Sequence, residues 1–297
     1  MWYTALYVLG TRPNLLQGGE EMSEYAPEKN VHRAKKSMGQ NFIADPTVCP
    51  RIAEMADIDG ACVLEIGPGF GALTVEAAKR AEKVVAVELD SDVIDGLKEN
   101  LKELDNVTVI QGDALESDLK QLIKDNFGDR RVSAIGNIPY NITSPLIMKL
   151  IEPDLGLDSV TVMIQKEPAD RFCARPGTDG CGAVSVPIWY YGIPKKLFEV
   201  GPGAFRPRPK VRSSVIRIDL REEPAVKVLN DEHFFRLVRA AFGQRRKTAI
   251  NSVSSLMGYK KEEIAAAMEK CGIDQGIRAE RMTMEQFAAL SDELAAL

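Results

Sequence analysis

Val63-Leu64-Glu65-Ile66-Gly67-Pro68-Gly69-Phe70-Gly71-Ala72 reads as a β-strand that runs into a glycine-rich turn and then into a helix. The aliphatic run suits a buried strand, and the glycines let a ligand approach the main chain closely. Outward from this stretch, short β-branched runs alternate with helix-like segments. Ala61–Ile66, Val84–Leu89, Val107–Gln111, Val132–Ile135, Val160–Gln165, Val184–Tyr191 and Ser213–Leu220 are the predicted strands. Ala72–Arg80, Asp92–Leu104, Leu115–Asn126 and Ser144–Ile151 are the helices predicted between them. Such alternation specifies an α/β domain on a mostly parallel sheet. Only the segment Gly192–Arg212 joins the last two strand runs, so they are expected to pair antiparallel as an edge hairpin.

Beyond the linker Arg221–Val226 the character turns helical. His233–Phe242, Lys247–Met257, Lys261–Lys270 and Thr283–Leu297 are four predicted helices, and Thr283 with Gln286 three residues on forms a capping box. The expected organisation is an N-terminal extension at residues 1–35, poorly ordered, an α/β domain at 36–222 and a small all-helical C-terminal domain at 223–297.

With 45% hydrophobic and 27% charged residues, the 297-residue composition is that of a soluble globular protein, not of a disordered chain or a membrane span. The N-terminal stretch Met1–Gly10 lacks a basic n-region and is too short to cross a bilayer, so it is not read as a signal peptide. Met22 opens a polar, basic stretch and is an alternative start. Five cysteines, Cys49, Cys62, Cys173, Cys181 and Cys271, are odd in number and contain no C-x-x-C pair, which points to a reducing, cytoplasmic setting without a metal site. His32 and His233 stand beside no Ser or Cys nucleophile in a triad pattern.

A net charge of −5 argues at first against a nucleic-acid partner, but the charge is unevenly spread. Between Phe205 and Ile250, twelve basic residues face five acidic ones; Arg206, Arg208, Lys210, Arg245, Arg246 and Lys247 are among the twelve. A smaller basic group, Lys29, Arg33, Lys35 and Lys36, precedes the first motif. Both fit a phosphate backbone.

Gly67, Gly69 and Ala72, with the acid Glu88 about 21 residues after Gly67, also satisfy a dinucleotide-binding pattern, so the loop alone leaves an NAD-dependent enzyme open. Three features weigh against it. Glu65 places a carboxylate at the strand tip, where it would repel a pyrophosphate but suit a cationic or zwitterionic ligand such as S-adenosylmethionine. Asp113, in Gly112-Asp113-Ala114-Leu115, ends the third strand with another carboxylate, able to accept from an adenine amino group. Asn137-Ile138-Pro139-Tyr140 ends the fourth. An Asn side-chain carbonyl and a neighbouring backbone carbonyl can together hold an exocyclic amino group in a pyramidal, reactive form. Pro139 fixes the backbone that presents them, and Tyr140 offers a face for a flipped-out base. Four successive strands thus end in polar residues on one sheet edge, where open α/β folds bind ligands.

With these residues assembled, the chain closely resembles the ribosomal RNA adenine dimethyltransferases of the KsgA type. The resemblance runs from about Lys36 to the C-terminal helices. It is carried by Gly39-Gln40-Asn41-Phe42-Ile43, Glu65-Ile66-Gly67-Pro68-Gly69, Gly112-Asp113-Ala114, Asn137-Ile138-Pro139-Tyr140, Phe205-Arg206-Pro207-Arg208-Pro209-Lys210-Val211-Arg212-Ser213 and Ala241-Phe242-Gly243-Gln244-Arg245-Arg246-Lys247-Thr248. It implies a Rossmann-like class I methyltransferase sheet, with S-adenosyl-L-methionine as cofactor. By the same resemblance Gln40, Asn41, Ile43, Glu65, Gly67, Gly69, Glu88, Asp113 and Asn137 would hold the cofactor, Glu88 at the ribose hydroxyls and Asp113 at the adenine. Asn137, Pro139, Tyr140 and Phe205 would form the catalytic group, Tyr140 and Phe205 sandwiching the target adenine. Arg206, Arg208, Lys210, Arg245, Arg246 and Lys247 would bind RNA.

The implied reaction is methylation at N6 of two adjacent adenosines in a 3′-terminal hairpin of small-subunit (16S) rRNA, giving N6,N6-dimethyladenosine and serving small-subunit maturation. The implied partner is small-subunit rRNA or a pre-30S particle, met by a cytoplasmic monomer away from any membrane. A large-subunit (23S) rRNA adenine N6-methyltransferase of the macrolide-resistance type is the alternative; Gly243-Gln244-Arg245-Arg246-Lys247-Thr248 favours the small-subunit type. An assembly or RNA-binding factor without methyl transfer is a third reading, disfavoured by intact Asn137, Pro139, Tyr140 and Glu88. The chain departs from the family pattern at Ile43, where leucine is common, at Pro168, where a valine-like residue is expected, and at Cys181, where tyrosine is expected.

Overall fold

The computed structural model describes residues 40–244 and 246–297; the expectations for residues 1–35, for Lys29, Arg33, Lys35 and Lys36, and for Arg245 lie outside them. In chain order β1 (Phe42–Ile43), α1 (Val48–Met55), β2 (Cys62–Ile66), α2 (Ala72–Ala78), β3 (Lys83–Glu88), α3 (Ser91–Leu101) and β4 (Val107–Gln111) come first. There follow α4 (Leu119–Phe127), β5 (Val132–Asn137), α5 (Thr143–Leu150), β6 (Leu157–Gln165), α6 (Lys166–Cys173), α7 (Ser185–Tyr191), β7 (Gly192–Val200), β8 (Phe205–Arg206) and β9 (Ser213–Leu220). Four helices complete the described chain: α8 (Asp231–Phe242), α9 (Ala249–Met257), α10 (Lys261–Lys270) and α11 (Met284–Ala295).

Seven strands form one sheet in the order β4-β3-β2-β5-β6-β9-β7. From β4 to β6 neighbours are parallel, while β9 runs antiparallel to both β6 and β7. Helices cover both faces, so the central strands are apolar on both sides. Period-two alternation sends Leu64 and Ile66 to one core, with Val85, Phe127 and Leu146, and Val63 to the other, with Ile52, Leu73 and Val84.

The strand predicted at Val184–Tyr191 is instead the helix α7, and the sheet-edge strand is β7, which the sequence reading left as a connection. Two interactions decide this. Val186 and Tyr190, one helical turn apart, enter the core of the C-terminal helices while Ile188 between them enters the core under the sheet, whereas a strand would turn all three to one face. Pro187 falls in the helix's first turn, while Pro194 sits on an edge strand, where its missing N–H costs no ladder bond. The antiparallel hairpin is present, but β7 forms it with β9.

The helical core gathers Phe234, Leu237, Val253, Ile264 and Phe287, and takes in Cys181, Val186 and Tyr190 from the preceding segment. Cys181 is therefore a packing residue, its thiol pushed up to about 11 by burial. Tyr190 Oη donates to Asp231 Oδ1 at 3.0 Å, tying α7 to α8. Packing thus crosses the boundary drawn at 222/223. The capping box forms as predicted: Gln286 N–H donates to Thr283 Oγ1 (3.2 Å) and Thr283 N–H to Gln286 Oε1 (3.0 Å). Among the described residues no helix is long and apolar enough to cross a membrane.

The strand order turns at β2, whose neighbours are β3 and β5, so the carboxyl ends of β2 and β5 lie side by side at the switch point. Ile66 and Gly136 are register partners there, and a Cβ on Gly136 would lie 2.6 Å from the Ile66 carbonyl oxygen. Only glycine lets the two strand ends approach this closely.

Candidate active site

A cavity of about 320 Å³ opens at that switch point. The ends of β2, β3, β4 and β5 and the segment around β1 contribute its walls. Gln40, Asn41, Ile43, Glu65, Gly67, Gly69, Glu88, Asp113, Asn137, Pro139 and Tyr140 all line it. Eleven residues chosen from five separate stretches are therefore brought together by parallel strands that end on one edge.

The turn after β2 forms the floor. Gly67 has φ +70°, a conformation costly for any side-chain-bearing residue, and its N–H donates to the Val87 carbonyl at 3.0 Å. Glu65 is 1% exposed, and its Oε2 has no hydrogen-bond partner among the described residues. Burial pushes its carboxyl up to about 8; the Glu88 charge adds to this and the Thr74 hydroxyl partly offsets it. An orphaned carboxylate oxygen facing a cavity is a group waiting for a donor or a cation.

Glu88 is held at both oxygens: Gly69 N–H donates to Oε2 (2.9 Å) and Asp90 N–H to Oε1 (2.8 Å). The residue also lines the cavity. Gln40 Nε2 donates to Asp90 Oδ2 at 2.7 Å, so it braces this acidic corner. Asp113 Oδ1 accepts from Leu115 N–H at 2.8 Å, which aims the carboxylate. The turn it belongs to is clamped from α5 by Lys149, whose Nζ donates to the carbonyls of Leu115 and Ser117, each at 2.7 Å.

Asn137 sits at the end of β5, partly buried, and its Nδ2 donates to the Asn41 carbonyl at 2.9 Å. Its Oδ1 has no partner among the described residues. The Pro139 carbonyl is engaged by the turn that follows, accepting from Ile142 N–H (3.2 Å) and Thr143 Oγ1 (3.3 Å). The Ile138 carbonyl accepts from none of the described residues, so it is the backbone acceptor available beside Asn137. Tyr140 is partly exposed, and its hydroxyl is 3.0 Å from Ser213 Oγ.

Phe205 departs from expectation. It is 1% exposed and packs in the core with Ile52, Phe198 and Val215, away from the cavity. β1 and β8 pair antiparallel with Ile43 opposite Phe205. Because neighbours on a strand point to opposite sides, Phe205 turns inward while Arg206 turns to solvent. Tyr140 and Phe205 therefore do not face each other across one cavity. The aromatic rings that join Tyr140 in lining it are Phe42 and Phe70, whose centroids are 5.1 Å apart. Sequence reasoning missed both, and also missed Leu89, half exposed at the cavity rim. Each lies next to a motif residue, which was the only signal.

Arg206, Arg208, Lys210, Arg246 and Lys247 are exposed. Other basic residues of that segment are neutralised, Arg212 by Glu199 (3.0 Å) and Arg217 by Asp219 (2.5 Å). The local excess of positive charge thus falls on exposed residues, with Arg221 and Arg236 exposed as well.

A model of the family described as ribosomal RNA adenine dimethylase matches residues 31–296. The chain is 45% identical over 271 residues to ribosomal RNA small subunit methyltransferase A of Alkaliphilus metalliredigens, covering 91% of this chain and 94% of that protein. It is 43% identical over 265 residues to the protein of the same name from Bacillus pumilus, covering 88% and 91%. Among solved structures, a dimethyladenosine transferase from Plasmodium falciparum superposes with a TM-score of 0.70 at 25% identity, covering 84% of this chain and 95% of that one. The 23S rRNA methyltransferase ErmE does so with a TM-score of 0.65 at 27% identity, covering 86% and 100%. The sheet order, the cavity at its switch point and a family match spanning nearly every described residue agree, and the chain belongs to the ribosomal RNA adenine dimethylase family.

Proposed function

We propose that this protein transfers methyl groups from S-adenosyl-L-methionine to N6 of two adjacent adenosines in a 3′-terminal hairpin of small-subunit rRNA, yielding N6,N6-dimethyladenosine. The observation that carries the reading is the anchored amide of Asn137. With Nδ2 held by the Asn41 carbonyl, Oδ1 is left toward the cavity beside the unengaged Ile138 carbonyl, two acceptors suited to the two hydrogens of one amino group.

The cavity fits the cofactor. Glu65 brings a buried carboxylate oxygen to a cationic ligand, Glu88 has lone pairs for two ribose hydroxyls, and Asp113 has a carboxylate oxygen for the adenine amino group. Bound there, S-adenosylmethionine supplies a methyl group activated by its sulfonium charge. The protein's part is positioning and electrostatics. Asn137 Oδ1 and the Ile138 carbonyl draw the amino nitrogen toward a pyramidal geometry, freeing its lone pair from the ring. Tyr140 stacks on the flipped base, a contact worth about 1–3 kcal/mol. Loss of the lone pair to the new bond makes the nitrogen acidic, so its proton passes to water without a strong base. No histidine lines the cavity among the described residues, and neutral Asn137 avoids placing another charge there.

Arg206, Arg208, Lys210, Arg246 and Lys247 supply the phosphate contacts, and the substrate is small-subunit rRNA or a pre-30S particle bound by a monomer. Identities above 40% to small-subunit enzymes, against 27% to a 23S enzyme of the same fold, support the small-subunit assignment over the macrolide-resistance type. The test is incubation with labelled S-adenosylmethionine and small subunits lacking the modification, followed by nucleoside analysis. Labelled dimethyladenosine in small-subunit RNA is expected, and label confined to large-subunit RNA would overturn the substrate assignment.

A further inference from the structure

We propose that Ser213 is a positioning residue for methyl transfer, fixing the plane of the Tyr140 ring through the 3.0 Å contact between the two hydroxyls. This rests on the reading of Tyr140 as the base platform. The geometry is unusual in its reach. Tyr140 lies in the loop after β5, whereas Ser213 opens β9, two strands away in the sheet with β6 between them. The loop is therefore spread across the end of β6 and fastened at two points. Ile138 N–H donates to the Met163 carbonyl of β6 at 3.1 Å, and the Tyr140 hydroxyl meets Ser213 beyond it.

The two anchors differ in consequence. The backbone bond holds the chain of the Asn137–Tyr140 turn, but a tyrosine ring remains free to swing about its side-chain torsions unless its far end is held. Ser213 is suited to hold it. It is fully buried and lies between two ladders, with Gln165 on one side and Val200 on the other as register partners, so its hydroxyl has a rigid mount. Tyr140 is the only partner of that hydroxyl among the described residues. The neighbouring Ser214 hydroxyl is buried with no partner among them, so the fold does not demand that every serine hydroxyl of this strand be satisfied. Stacking tolerates rotation of the ring, whereas in-line transfer does not. A tether on the ring therefore acts on turnover more than on binding.

The experiment compares Ser213→Ala, Tyr140→Phe and the double variant in single-turnover methyl transfer, on whichever rRNA the wild-type protein labels. Cofactor affinity by calorimetry and the thermal midpoint are measured in parallel. Each single variant is expected to slow the methyl-transfer step about tenfold, the scale at which small misplacements of reacting groups are felt. Cofactor affinity should be unchanged, and the double variant no slower than either single one. An undiminished Ser213→Ala enzyme would overturn the proposal, as would losses that multiply in the double variant or an equal loss of cofactor affinity. Should Ser213→Ala fail to fold, Tyr140→Phe deletes the same bond from the partly exposed side and keeps the ring; full turnover in that variant overturns the tether by itself. A Tyr140→Ala enzyme with full turnover would overturn the platform reading and the tether together, whereas full turnover in Tyr140→Phe alone overturns only the tether.

Discussion

The side chain of Asn137 is bonded to the main chain of Asn41, Nδ2 to carbonyl at 2.9 Å, joining two motifs that lie 96 positions apart. This one contact engages the nitrogen end of the amide and leaves the oxygen end as its acceptor. Replacing Asn137 by alanine is expected to lower the transfer rate by about 10²–10³, the usual cost of deleting a preorganised polar group at a reacting centre. Cofactor affinity should change only slightly. Asn137→Asp is a sharper probe, since a carboxylate cannot donate to the Asn41 carbonyl and should be inactive at neutral pH despite its matching shape. Rapid-quench kinetics with calorimetric cofactor titration would separate the two effects, and Asn137→Asp turning over at the wild-type rate would refute the orientation argument.

Glu65 predicts a proton release. Its carboxyl is raised from 4.5 to about 8 in the folded protein, so between those values the folded state holds a proton that the unfolded state has lost. Stability contributed by this group therefore falls as pH rises through that window. A cationic ligand beside it should reverse the shift and expel the proton. Calorimetry of S-adenosylmethionine binding at pH 7 in buffers of differing ionisation enthalpy should show proton release in the wild type and none in Glu65→Gln. That variant should also flatten the pH dependence of the thermal midpoint.

Gly136→Ala tests the crowding at the switch point. The new methyl carbon would stand 2.6 Å from the Ile66 carbonyl oxygen, which is backbone and cannot swing aside. An overpacking cost of about 1–3 kcal/mol is expected, seen as a lower midpoint in denaturant. Because the displaced strand end carries Asn137, turnover should fall with it. An unchanged midpoint would show that β2 and β5 separate more easily than their register implies.

His233 makes the helical core acid-sensitive. Its ring is buried between Ser291 Oγ and Tyr259 Oη, each at 2.9 Å, and burial lowers its pKa; the Arg236 charge adds to this, and Asp292 opposes it. A depressed histidine is neutral in the fold, so its contribution is complete above the unfolded value of about 6.5 and is lost as pH falls below it. The thermal midpoint should decline from pH 7 to pH 5.5, and less steeply in His233→Gln. Equal slopes in the two proteins would remove His233 from the explanation.

Local chemistry made much of this protein legible in advance. The glycine turn after β2, the acids that end β3 and β4, the Asn-Ile-Pro-Tyr turn and the Thr283 capping box are each written in a few adjacent residues, and parallel connections oblige successive strand ends to meet on one edge. What the sequence could not determine depended on partners far along the chain. Val184–Tyr191 has the composition of a strand but is helical, because one face of that helix is claimed by helices beginning some forty residues later. Phe205 belongs to a motif and was expected against a base; pairing with β1 turns it into the core. The crowding of Gly136 against Ile66 and the reach of Tyr140 to Ser213 likewise exist only once the sheet has assembled. Residue order could determine the cast of the cavity, since propensity and turn chemistry act over a few positions. Which side chains face inward was left to tertiary structure, because strand register and packing are set by contacts between segments that local sequence does not relate.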